Sequence, residues 1–304
     1  MRDISTVALR RARAGLVLLV AGAGLLLFGP LRPAAAVAAA ATASAMRSAE
    51  RARVLLEVGR WPQLRFDGGA LTVYSGPGLA ADASVAAAAL VTDYPQVLRD
   101  FGLTPATAPA IVVVVSGADM ARFVGGGAAD PPLGAYYQGV IWLLAPSAFL
   151  PAGPDLAAAY AQAGPAAHEL THLADDLVSG GRTPRWLDEG LAQYEDWRLT
   201  GYVWVQGDNG FSGSTYDWTQ LTRDFDALPD VALAYRQALA ATASICNSGP
   251  GVCVGILQRL RAGVSPTQAL LQAIGPARLA ALTAGAAWRP GLEPQPGAAE
   301  GPVP

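Results

Sequence analysis

The 304-residue chain has no lysine: all 21 of its basic residues are arginine. It has two histidines and two cysteines, and only 15% of its residues are charged. No basic patch interleaved with aromatics occurs, which argues against nucleic acid as a partner. The two cysteines have no histidine or further cysteine nearby, which argues against a zinc site at them. With 52% hydrophobic residues the chain can bury a large core, and global disorder is excluded. Alanine, glycine and proline are abundant throughout, so alanine runs carry little functional meaning by themselves.

Charge is distributed unevenly. Residues 1–45 hold five arginines against the single Asp3, a net of +4, so the rest carries −7 of the total −3. Arg10, Arg11 and Arg13 precede an apolar run from Gly15 to Gly29, and small residues follow from Ala34 to Ala45. This order is that of an export segment. Two readings stay open for residues 1–45: a signal peptide cleaved near Ala34-Ala35-Ala36 or Ala43-Ser44-Ala45, or a retained anchor through residues 14–31 with its arginines on the cytoplasmic side. Either places the remainder outside the cytoplasm, secreted or anchored at the outer face of the membrane. In that compartment Cys246 and Cys253, flanking Asn247-Ser248-Gly249-Pro250-Gly251, suit a local disulfide.

Periodicity predicts strands early and helices late. A short helix is expected over 46–60, then a strand over 71–75 and a helix over 81–101. The β-branched run 111–116 reads as a buried strand, followed by a short helix over 118–124. Residues 125–133 form a glycine- and proline-rich loop, and 138–144 an apolar strand. Helices are expected over 155–178, broken at Gly164-Pro165, and over 184–200, with at least four helical segments across 216–288. The tail from 290 is proline- and glycine-rich. This is an α+β order: an N-terminal α/β part over 46–130, a core and helical C-terminal part over 131–289, and a tail over 290–304.

Both histidines of the chain lie in His168-Glu169-Leu170-Thr171-His172. Four residues apart on a helix, they share a face and can reach one ion. Zinc takes imidazole nitrogen at about 2.0–2.1 Å and, in catalytic sites, three protein ligands plus a water. Glu169 points beside such an ion and can remove a proton from the attacking water. The pattern is a zinc-peptidase signature. The third ligand must be a carboxylate, because no histidine remains.

Downstream stands Trp186-Leu187-Asp188-Glu189-Gly190-Leu191-Ala192-Gln193-Tyr194. Together with the His168–His172 motif, it resembles the gluzincin zinc metallopeptidases, and most of all the peptidase-MA-like group. The likeness covers roughly residues 130–285 and is specific at the two motifs. It implies a zincin-like fold, one zinc per chain, hydrolysis of a peptide or protein substrate, and Glu189 as the third ligand, with Asp188 its rival. The interval of 17 residues from His172 to Glu189 is shorter than in other gluzincins and demands a tight connection. By the same resemblance, Gln193 is a candidate to hydrogen-bond a zinc histidine, Gly134 to Leu143 matches the cleft-bordering strand, and Tyr235 is a candidate oxyanion donor. Asp176, one turn after His172, is a further candidate partner, and Glu195 reads as a solvated acid. The competing function is an inactive zincin-fold protein serving as a cell-surface binding module. An intact Glu169 argues against it, since holding a metal does not require that residue.

Overall fold

A computed structural model describes residues 31–125, 131–203, 215–247 and 251–285. The expected apolar run at 15–29, the glycine-rich stretch at 207–214, Trp204 and the tail from 290 lie outside them. Among the described residues no helix is long and apolar enough to cross a membrane.

The chain is α+β, with one five-stranded mixed sheet. Helix α1 (Leu31–Val58) leads to β1 (Gln63–Phe66), β2 (Leu71–Ser75), α2 (Ala80–Asp100), β3 (Ala110–Val115) and α3 (Gly117–Phe123). The hairpin β4 (Gly134–Tyr137) and β5 (Val140–Leu144) follows, then α4 (Leu156–Ala163), α5 (Ala166–Ser179) and α6 (Arg185–Thr200). Four helices end the described chain: α7 (Trp218–Arg223), α8 (Val231–Cys246), α9 (Val252–Arg261) and α10 (Pro266–Thr283). The strand order is β1-β2-β3-β5-β4. The three central strands run parallel, and both edge strands run antiparallel to their neighbours.

Because strand side chains alternate, β3 and β5 feed two cores. Val112, Val114, Ile141 and Leu143 face α2 and α5 in the larger one. Val113, Val115, Val140, Trp142 and Leu144 face the other way, toward Val54 and Val58 of α1 and Met120 of α3. Trp142 is fully buried there and stacks on Phe123 at 4.7 Å. Burial on both faces explains why these strands read as unbroken apolar runs.

Three elements differ from their sequence expectations. The helix expected over 46–60 begins at Leu31, so the boundary set at 45/46 falls inside α1. Alanine has the highest helix propensity, and the alanine-rich stretch propagates the helix. It is fastened by Arg47 on Asp176 and by Arg51 on the carbonyls of Gly139 and Pro109. The stretch 134–144 is a hairpin, turning at Gln138 (φ 46°) and Gly139 (φ 87°), where both central residues are left-handed as a two-residue hairpin turn requires. Strand β1 is four residues long and largely exposed, which leaves no alternating pattern to read.

The break at Gly164-Pro165 separates α4 from α5, as expected. Gly180 ends α5 in the left-handed conformation that a residue with a Cβ disfavours. Cys246 and Cys253 are disulfide-bonded, closing α8 onto α9.

Candidate metal centre

Helix α5 carries His168 and His172 on one face, with ring centroids 4.9 Å apart. Helix α6 returns alongside and brings Glu189 against both. Its Oε2 lies 3.3 Å from His168 Nε2 and 3.8 Å from His172 Nε2. Gly190 makes this approach affordable to the fold. A Cβ there would stand 2.1 Å from Thr242 Oγ1 and 2.6 Å from the Ala238 carbonyl, so only glycine lets α6 cross α8 this closely. The glycine after the glutamate therefore sets how deep Glu189 sits.

The three groups suit one ion. They form the His, Cys, Asp or Glu cluster found among the described residues, with candidate ligand atoms all within 4.8 Å of one another. Tetrahedral bonds of about 2.0–2.1 Å place ligand atoms about 3.3 Å apart, against the observed 3.3 and 3.8 Å. Glu189 Oε2 is buried and has no hydrogen-bond partner of its own. A buried carboxylate oxygen left without a donor is costly unless a cation completes it.

The other oxygens are assigned elsewhere. Glu189 Oε1 is bonded to Arg185 Nη2, and Asp188 Oδ2 takes Arg185 Nη1 at 3.1 Å. Asp188 Oδ1 accepts from His172 Nδ1 at 2.6 Å. Asp188 thus stands behind the imidazole, fixing its tautomer so that Nε2 faces Glu189. Burial works against charge on His172, but Asp188 and Glu189 overcome it and raise the imidazole to about 10. Burial likewise opposes ionisation of Glu189, yet Arg185 and the two histidines hold it below the usual carboxylate range.

Glu169, next on α5, is buried, and its Oε2 lacks a hydrogen-bond partner. Burial lifts its pKa against the lowering effect of His172 and His168. Strand β4 passes directly over it: a Cβ on Gly134 would lie 2.6 Å from Glu169 Oε1. Tyr235 of α8 also reaches the centre, beside Glu189. Burial, then the Glu189 carboxylate, push its phenol well above its ordinary value.

Several expected roles fall elsewhere. Gln193 does not reach a histidine; its Nε2 donates to the Tyr235 carbonyl at 2.9 Å, tying α6 to α8. Asp176 accepts from Arg47 at 2.8 Å and from the Tyr136 hydroxyl, locking α1 and β4 to the end of α5 rather than holding His172. Glu195 is buried, not solvated, and is bonded to Arg198 at 2.6 Å. Arg185 and Gly134 escaped the sequence reading. The only hint of Arg185 is its place three and four residues before the two acids, a spacing shared by ordinary surface pairs. Comparison with family models, curated proteins and solved structures yields no match.

Proposed function

We propose that this protein is a zinc-dependent peptidase of the gluzincin type, zincin-like in fold, and exported or anchored at the outer face of the cytoplasmic membrane. The observation that carries this reading is the convergence of two imidazole nitrogens on one unpartnered carboxylate oxygen, with a second acid, Glu169, beside them and outside the set. Bound to His168, His172 and Glu189, zinc would polarise a peptide carbonyl and acidify a water.

The remaining chemistry belongs to the chain. Glu169 takes the proton of the attacking water and returns it to the leaving amine. Its raised pKa brings the carboxylate nearer to working pH, as a general base needs. Tyr235 keeps its proton, since its pKa is raised further, and can donate to the developing oxyanion. Strand β4 is an edge strand, paired on one side with β5. An extended substrate backbone adding to its other side would lie beside the strand that Gly134 brings against Glu169.

The test is cleavage of a mixed peptide library by the purified, zinc-loaded chain beside Glu169→Gln. Defined cleavage by the wild type, with the variant holding zinc but inactive, supports the peptidase. Zinc retention with no cleavage by either would support the binding module instead.

A further inference from the structure

We propose that Arg185 is a positioning residue that makes Glu189 a one-oxygen metal ligand and locks it to the carboxylate that orients His172. This rests on the metal centre described above. The inference comes from how one guanidinium is shared. Its Nη2 holds Glu189 Oε1, leaving Oε2 as the oxygen that faces both imidazoles. Its Nη1 holds Asp188 Oδ2 at 3.1 Å, while the other oxygen of Asp188 holds His172. Its Nε holds Asp226 Oδ1 at 3.1 Å, from the short helical turn Phe225–Ala227 that precedes α8. Three carboxylates from two segments are thereby fixed by one planar fork.

An ordinary helix-surface arginine pairing three and four residues ahead contributes little and positions nothing. Arg185 differs because its partner Glu189 is only 3% exposed in its side chain, and because both oxygens of that carboxylate have separate tasks. Without the fork, Glu189 loses its charged partner and keeps its hydrogen bond with Tyr235; the carboxylate can then turn to present both oxygens to an ion, filling a position that a catalytic site leaves to water. Asp188 would lose one of its holds in the same step, keeping those to His172 and Asp175, and would orient the His172 ring less firmly. Lysine cannot substitute, since an ammonium is a point charge without the paired geometry.

Two opposing effects fix the sign of the outcome. Arg185 is a cation near a dication, so its removal relieves repulsion and tightens binding if charge is all that matters. If positioning matters more, removal loosens binding by about 10–100-fold, as for other partners of metal ligands.

The experiment uses the full chain with Co2+ as a spectroscopic stand-in for zinc. Affinity is read by competition with a chromophoric chelator, and visible absorption per bound cobalt is read at saturation. For Arg185→Gln and Arg185→Lys we expect a 10–100-fold rise in Kd. We also expect weaker d–d absorption per cobalt, because absorptivity falls as the coordination number rises. The saturated spectrum reports geometry independently of affinity, and circular dichroism of the metal-free variants establishes that they fold. Tighter or unchanged binding in both variants, with a wild-type spectrum, overturns the positioning role. A wild-type chain that binds no cobalt overturns the parent reading instead.

Discussion

Substituting Gly134 by alanine separates the proposed base, Glu169, from the proposed metal ligands. The added Cβ would lie 2.6 Å from Glu169 Oε1, 2.8 Å from its Cγ and 3.0 Å from its Cδ. Ordinary contact begins at 3.4 Å, so the carboxylate or the strand must give way by about 0.8 Å. Displacement of a reacting group by about 1 Å costs on the order of 10²-fold in rate. The three atoms nearest to that Cβ all belong to Glu169, so the strain falls first on this side chain. The expected result is a roughly 100-fold loss of kcat/KM on a cleaved peptide, with zinc affinity and melting temperature close to wild type. Full turnover in Gly134→Ala would refute the placement of β4 against the base. Loss of zinc along with turnover would show that Gly134 supports the whole centre rather than Glu169 alone.

Other perturbations probe separate parts of the account. Asp188→Asn keeps the side-chain shape but weakens the bond to His172 Nδ1, and metal affinity should fall by about 10–100-fold in a chelator competition. Gly190→Ala drives a methyl into Thr242 and the Ala238 carbonyl; a loss of about 3 kcal/mol or more is expected in urea melts of the metal-free protein. Asp93 is buried in α2, and burial raises its carboxyl to about 7. A carboxyl raised on folding stabilises most below its unfolded value of 3.8 and loses that contribution as pH climbs to about 7. The difference is on the order of 4 kcal/mol. Asp93→Asn should therefore melt well above wild type at pH 8.5 and near it at pH 4, and an equal shift at both would remove burial of the charge as the cause.

The pairing of the two histidines was legible because a spacing of four puts them on one helix face, whatever the tertiary structure, with Glu169 turned to its side. Glu189 was legible only through its neighbours in Trp186–Tyr194, whose pattern favours it over the adjacent Asp188. Geometry divides them: one oxygen of Glu189 faces the imidazoles, and Asp188 stands behind one of them. The roles of Gln193, Asp176 and Glu195 were misread for a common physical reason. Each polar group is satisfied by a partner far along the chain or by an unexpected neighbour, namely the Tyr235 carbonyl, Arg47 and Arg198. Periodicity reports which face a residue occupies and is silent on what meets it there. The sheet was legible where strands are buried on both faces, as at 111–115. It was not where four exposed residues make β1, or where Gln138 adopts a left-handed turn with no Asn or Asp to signal it. Helix α1 was cut short because an alanine-rich stretch after an apolar run fits an export segment as well as it fits a helix.

The most direct test of the central claim is metal content. The full chain, its His172→Ala variant and its Glu189→Ala variant would be loaded with zinc, dialysed and analysed by mass spectrometry. One zinc per wild-type chain, lost from both variants, is the result expected if His168, His172 and Glu189 hold the ion. A folded wild-type protein that takes up no zinc, or variants that retain a full equivalent, would contradict it.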